Sequence, residues 1–166
     1  MTSRSKPKPW AVGTVAAVPL SDSTFVLAQV VSLDPGIKKS VTIAYFDTRL
    51  TENQLRQVSM APTADHAISV QFTSRRALTR GAWRVVCAAP VNLAGIQLPS
   101  ANTHSLGWSG SRFYDTGTMT LFLEAFFGLQ PWDLMPALFD QLLLHPKLKP
   151  KGPAAGPLTS RLSGPA

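Results

Sequence analysis

The chain has 166 residues, with a 45% apolar and 15% charged composition. That length supports one domain with a substantial core, and the low charge and ample apolar content exclude wholesale disorder. The net charge of +7 sits in the ends: residues 1–9 hold Arg4, Lys6 and Lys8, residues 145–166 hold Lys147, Lys149, Lys151 and Arg161, and residues 10–144 are neutral. A neutral body with basic ends lacks the basic stripe of a dedicated nucleic-acid binder.

Residues 1–9 read as a disordered basic lead-in, with Pro7 and Pro9 interrupting any signal-like run. Residues 13–20 (GTVAAVPL) and 24–33 (TFVLAQVVSL) read as a strand hairpin across Ser21-Asp22-Ser23. Pro19 cannot donate to a central ladder, which predicts that its strand lies at an edge or ends there. After the turn Asp34-Pro35-Gly36, residues 41–47 (VTIAYFD) form a third strand, dense in β-branched and aromatic side chains. Thr51 and Gln54 have capping-box spacing for a short helix over 51–58. Residues 68–73 alternate apolar and polar as in a half-buried strand. Residues 74–80 follow as a short helix ended by Gly81, and 83–88 (WRVVCA) as a further strand. Residues 91–104 read as a connection, and 106–114 as a weak strand around Trp108 and Phe113.

Residues 118–129 are apolar almost all round, which predicts a buried helix with Gly128 near its C-cap. Pro131 is placed to open a second helix, to about residue 144, with Leu134, Leu138 and Leu142 on one row and Asp133 in the first turn. The Pro- and Gly-rich residues 145–166 read as a disordered tail. Strands first and helices last predict an α+β domain over 10–144: an N-terminal bent antiparallel sheet or small open β-barrel closed by two C-terminal helices.

Chemistry-bearing residues are sparse. His66, His104 and His145 are scattered, without metal-ligand spacing. Cys87 alternates with Val85 and Trp83 in an apolar strand, as inert buried thiols do. Gly107-Trp108-Ser109-Gly110 lacks the lysine and helix start of a phosphate loop. Glu124 and Asp133 flank a helix–helix turn, close enough to consider a hydrolytic carboxylate pair, although capping explains both acids. No cofactor is expected and no stretch is long enough to span a membrane, so the expected location is cytoplasmic. The charge pattern is uneven: Arg75, Arg76, Arg80 and Arg84 cluster, whereas residues 113–145 carry no Lys or Arg but hold Asp115, Glu124, Asp133 and Asp140. Aromatic residues accompany these acids, namely Phe113, Tyr114, Phe122, Phe126, Phe127, Trp132 and Phe139. Acids beside aromatic anchors suit a protein-binding face.

Two segments resemble the immunity protein 26 family of bacterial polymorphic toxin systems. Gly13-Thr14-Val15-Ala16-Ala17-Val18-Pro19-Leu20 with residues 25–31 is similar to that family's opening hairpin, followed by a strand ending in Phe46-Asp47. Ala28 stands where a glycine is common, and Gly81-Ala82-Trp83 resembles a recurring "GxW" strand start. Residues 122–133 (FLEAFFGLQPWD) are similar to the "FLNAYxGLxPWD" block, with Glu124 for the usual Asn and Phe126 for a Tyr. The block's usual continuation "DPNYFDxLL" is here Met135-Pro136-Ala137-Leu138 followed by Phe139-Asp140-Gln141-Leu142-Leu143. The resemblance implies a noncatalytic antidote that binds and neutralises a cognate toxin domain; the expected mechanism is that it covers the toxin's active cleft. For a basic nuclease toxin, Glu124, Asp133 and Asp140 would supply complementary carboxylates and Trp132 an anchor. The alternative expectation is a nucleic-acid-associated small β-barrel using the basic tails and the Arg75–Arg84 cluster.

Overall fold

The computed structural model describes residues 8–33, 39–99 and 112–150. The expected turn at 34–36, the glycine-rich 107–110 segment, His104, residues 1–7 and residues 151–166 lie outside them. Strands β1 (Thr14–Pro19), β2 (Phe25–Ser32), β3 (Ser40–Leu50) and β4 (Ala67–Ser74) form an antiparallel meander. β5 (Arg84–Ala88) returns antiparallel to β1, and the two-residue β6 (Phe113–Tyr114) lies parallel to β4. The resulting order is β5-β1-β2-β3-β4-β6. The α+β class is as expected, but the sheet is open, so the β-barrel alternative does not describe it. Of the two expectations for Pro19, the strand ends there: β1 is internal and stops at Pro19. Pro19 is tolerated because β5 pairs with β1 only from Thr14 to Ala17, leaving no ladder partner that needs a Pro19 N–H.

Strand alternation gives the sheet two apolar faces. Ala16, Val18, Val26, Ala28, Val30, Ile43 and Tyr45 belong to one buried cluster, and Val15, Ala17, Leu27, Val31, Ala44 and Phe46 to the other. The first face is covered by α3 (Thr116–Phe126) and α4 (Pro136–Leu142), which contribute Met119, Phe122, Leu123, Phe139 and Leu142. The second is covered by Leu55 of α1 (Glu52–Leu55) and by irregular chain carrying Leu93, Ile96 and Leu98. The fourth short helix, α2 (Arg76–Thr79), buries Ala77 and Leu78 on the helix-covered side.

Local signals account for several boundaries. Thr51 and Gln54 make the reciprocal capping box that opens α1. Asp115 caps α3, its carboxylate accepting the Thr118 N–H at 2.7 Å, so the helix begins two residues before the sequence reading placed it. Gly128, at φ +77°, ends it: the Gly128 N–H donates to Ala125 O and the Leu129 N–H to Glu124 O, a Schellman pair.

Gly13 and Gln29, both in the opening hairpin, meet in space. The Gly13 N–H donates to Val30 O at 2.8 Å, and its carbonyl accepts from Ala89 N at 2.9 Å. The buried Gln29 amide donates to Ala89 O at 2.9 Å and reaches the carbonyls of Gly13 and Pro90 at 3.4 Å. This knot joins the entry of β1 to the chain leaving β5. Past α4, the Leu144 N–H donates to Ile68 O at 2.9 Å, a 3-10 turn follows at Pro146–Leu148, and Leu148 packs on the first core cluster. No helix among the described residues is long and apolar enough to cross a membrane.

Candidate protein-contact surface

The segment joining α3 to α4 departs from the sequence reading in a way that shapes the site. No helix starts at Pro131. Instead, Trp132–Leu134 make a 3-10 turn, Met135 is non-helical (φ −146°, ψ 61°), and Pro136 opens α4. A helix running from 131 would have placed Pro136 in its interior, where the ring lacks an N–H and strikes the preceding turn; Pro136 also disfavours helical backbone at Met135. The expected leucine row is broken for the same reason, since Leu134 lies in the turn rather than on α4.

The four expected contact residues play different parts. Trp132 is half-buried, its ring 5.3 Å from Phe139 and 6.0 Å from Phe122 between centroids. Its indole N–H donates to Asp140 Oδ1 at 2.9 Å. Lys149 Nζ also lies 3.3 Å from the Asp140 carboxylate. The Trp132 hydrogen bond first, and Lys149 after it, hold the Asp140 carboxyl below the usual carboxylate range. The lysine-free stretch is therefore not left uncompensated: Lys149 folds back onto it, and Arg112 donates to Gln141. Glu124 ties α3 to the β1–β2 turn by accepting the Ser21 N–H at 2.8 Å, with Gln130 Nε2 at 3.4 Å. Nearby, Arg49 pairs with Asp22 and lies over the Phe127 ring.

Asp133 differs from the other three. It is exposed, and it makes no hydrogen bond or ion pair among the described residues. It caps no helix, contrary to the sequence reading. Beside it, Leu134 and Met135 are 49% and 41% exposed. The sequence reading missed these two because it assigned Leu134 to a helix face. The signal lay in the Pro131–Pro136 bracket. Asp133, Leu134 and Met135 thus form an outward knuckle, fastened from within by Trp132.

The expected aromatic set sorts by burial. Phe122 and Phe139 are fully buried, Tyr114, Phe126, Phe127 and Trp132 pack partly against the core, and Phe113 is exposed while stacking on Phe72 at 5.4 Å. The arginine cluster is split between the two sides of the sheet. Arg84 makes two 3.0 Å hydrogen bonds to Glu52, whereas Arg75 stacks on Trp10 at 4.0 Å, with Lys8 also 4.8 Å from that ring. Arg76 and Arg80 are exposed.

Cys87 is half-buried in β5, and burial pushes its thiol up, away from the thiolate a nucleophile needs. His66 Nδ1 lies 2.8 Å from Asp47 Oδ1 at the surface, and His145 is exposed. Among the described residues, no three His, Cys, Asp or Glu side chains converge as metal ligands. No family model, curated protein or solved structure matches the chain.

Proposed function

We propose that this chain is a noncatalytic bacterial immunity protein that binds a cognate polymorphic toxin domain in the cytoplasm and neutralises it by occlusion. The resemblance of the two quoted segments motivates the reading. The single observation that carries it further is the knuckle at 133–135: an unpaired carboxylate beside two exposed apolar side chains, on a turn braced by Trp132. An apolar anchor flanked by a charge can combine steering with a desolvated contact. Asp133 makes the direct contact at the knuckle in this scheme. Trp132 and Asp140 hold the knuckle in place, and Glu124 fixes the adjoining end of α3.

The test is co-expression with the protein encoded immediately upstream, followed by titration of the purified pair. Rescue of growth with one-to-one binding supports the reading. Asp133→Lys combined with Leu134→Ser should abolish both while leaving thermal melting unchanged. A folded protein that neither rescues nor binds refutes it.

Lys8, Trp10 and Arg75, with the exposed Arg76 and Arg80, favour one second reading, attraction to nucleic acid. Such binding should fall steeply with salt, and with Arg76→Gln/Arg80→Gln. Failure to bind DNA or RNA at low salt removes it.

A further inference from the structure

A groove of about 410 Å³ runs along the outer side of α3, between that helix and α2 with the start of β5. Ala77, Ala82 and Gly117 leave it open because none carries more than a β-carbon. Pro19 and Leu121 add apolar walls. Among the described residues, Glu124 is the only charged side chain lining it; Arg75, Arg76 and Arg80 do not line it.

The Glu124 carboxylate is held in place rather than free to swing. One oxygen accepts the Ser21 N–H and the other accepts from Gln130. A carboxylate offers about four acceptor sites, so two such bonds fix its orientation and leave capacity for another donor. Glu124 also stands in the last turn of α3, where the helix dipole favours a nearby cation. Apolar walls ending at a fixed carboxylate suit a long side chain with a methylene stem and a charged head.

We infer that this groove receives the side chain of a lysine or arginine from the partner protein, its stem along Leu121 and Pro19 and its charged head on Glu124. The inference rests on the antidote reading for the partner's identity, but its test does not need the toxin. The full-length protein, labelled with nitrogen-15, is titrated separately with the methylamides of N-acetyl-lysine, N-acetyl-arginine and N-acetyl-norleucine. At least one cationic probe should shift the amides of Ala82, Gly117 and Thr120, and the neutral probe should not. The two cationic arms show which head group fits.

Glu124→Gln preserves an acceptor for Ser21 and should weaken binding about five-fold, the effect of losing one screened ion pair. Ala82→Leu fills the groove from the opposite wall and should abolish the shifts even if the first variant folds poorly. Equal shifts with norleucine, no shifts with either cation, or unchanged affinity in folded Glu124→Gln overturns the inference. Cation binding in the groove with failed toxin rescue would remove the antidote reading alone. Rescue without cation binding would remove the groove assignment alone.

Discussion

Replacing Gly13 with alanine should cost far more than one methyl group normally does. An added Cβ would lie 2.8 Å from the carbonyl oxygen of Ala89, and the backbone at Gly13 has φ +93°. Left-handed backbone costs a residue with a side chain about 1–2 kcal/mol. The obstacle is main chain, so relief requires moving Ala89, whose carbonyl accepts from Gln29 and whose N–H donates to Gly13 O. Weakening those two bonds adds roughly 1 kcal/mol each at most. The expected loss is about 3 kcal/mol, or about 6–12 °C in melting temperature for a chain of this size. Gly128→Ala is the matched control: its φ is +77°, but nothing lies within 4 Å of the new Cβ. It should show the backbone cost alone, about 1–2 kcal/mol. Urea titration and thermal circular dichroism of both variants measure the difference. Equal losses at the two glycines would refute the claim that Gly13 is fixed by its contact with the Ala89 carbonyl.

Phe139→Ala should destabilise the domain by about 3–5 kcal/mol, because a fully buried ring packed on both Phe122 and Trp132 is lost; a loss under about 1 kcal/mol in a urea titration would contradict this packing. Asp133→Ala should leave stability within about 0.5 kcal/mol, since the side chain has no partner among the described residues; calorimetry showing a larger loss would restore the capping role expected from sequence. The carboxyls of Asp22, Glu52 and Asp140 are held low, chiefly by hydrogen bonds from Thr24, Arg84 and Trp132 respectively. Their contribution is therefore complete above the unfolded carboxylate range and is lost as pH falls through the lower folded values, so melting temperature should drop below about pH 4. Melts unchanged between about pH 5 and pH 2 would contradict those pairings. Cys87 should react with an aromatic disulfide reagent more slowly than glutathione does at neutral pH, because burial keeps its thiol protonated; an equal rate would show that β5 leaves the sulfur open.

The parts legible in the sequence were those set by neighbours along the chain. Alternation and β-branching located β1 to β4 to within a few residues, and the Thr51–Gln54 spacing and Gly128 marked helix ends that the structure contains. The return of β5 to β1 was not legible, because nothing local specifies which strand a distant one joins. Pro19 pointed to an edge strand or to a strand that ends there, and the structure has the second: an internal strand that stops at Pro19 beside a truncated neighbour. The helix after residue 131 was misread because Pro131 was weighed and Pro136 was not. At the site, Glu124 and Trp132 stood out by residue type, but their intramolecular partners did not. The Glu124–Ser21 bond spans 103 positions, and Trp132–Asp140 depends on the 3-10 turn that the misread helix would have removed.

The meander and its covering arrive from different stretches of chain. β1 to β4 can complete their mutual ladders by Ser74, before β5 and β6 add to the sheet, yet α3 and α4, which cover one face, begin at Thr116. During synthesis, a four-stranded sheet can therefore assemble with α2 and Trp83, which packs edge-on to Tyr45, but not yet α3 or α4, available to cover Val18, Val26 and Ile43 before Thr116 is reached. This order predicts a nascent stage with a paired β1–β4 meander and a partly covered apolar side. A fragment ending near residue 90 should reproduce that stage as a sticky, chaperone-dependent species. On that expectation, the closing helices serve first to cover the sheet and only afterwards to present a mature surface.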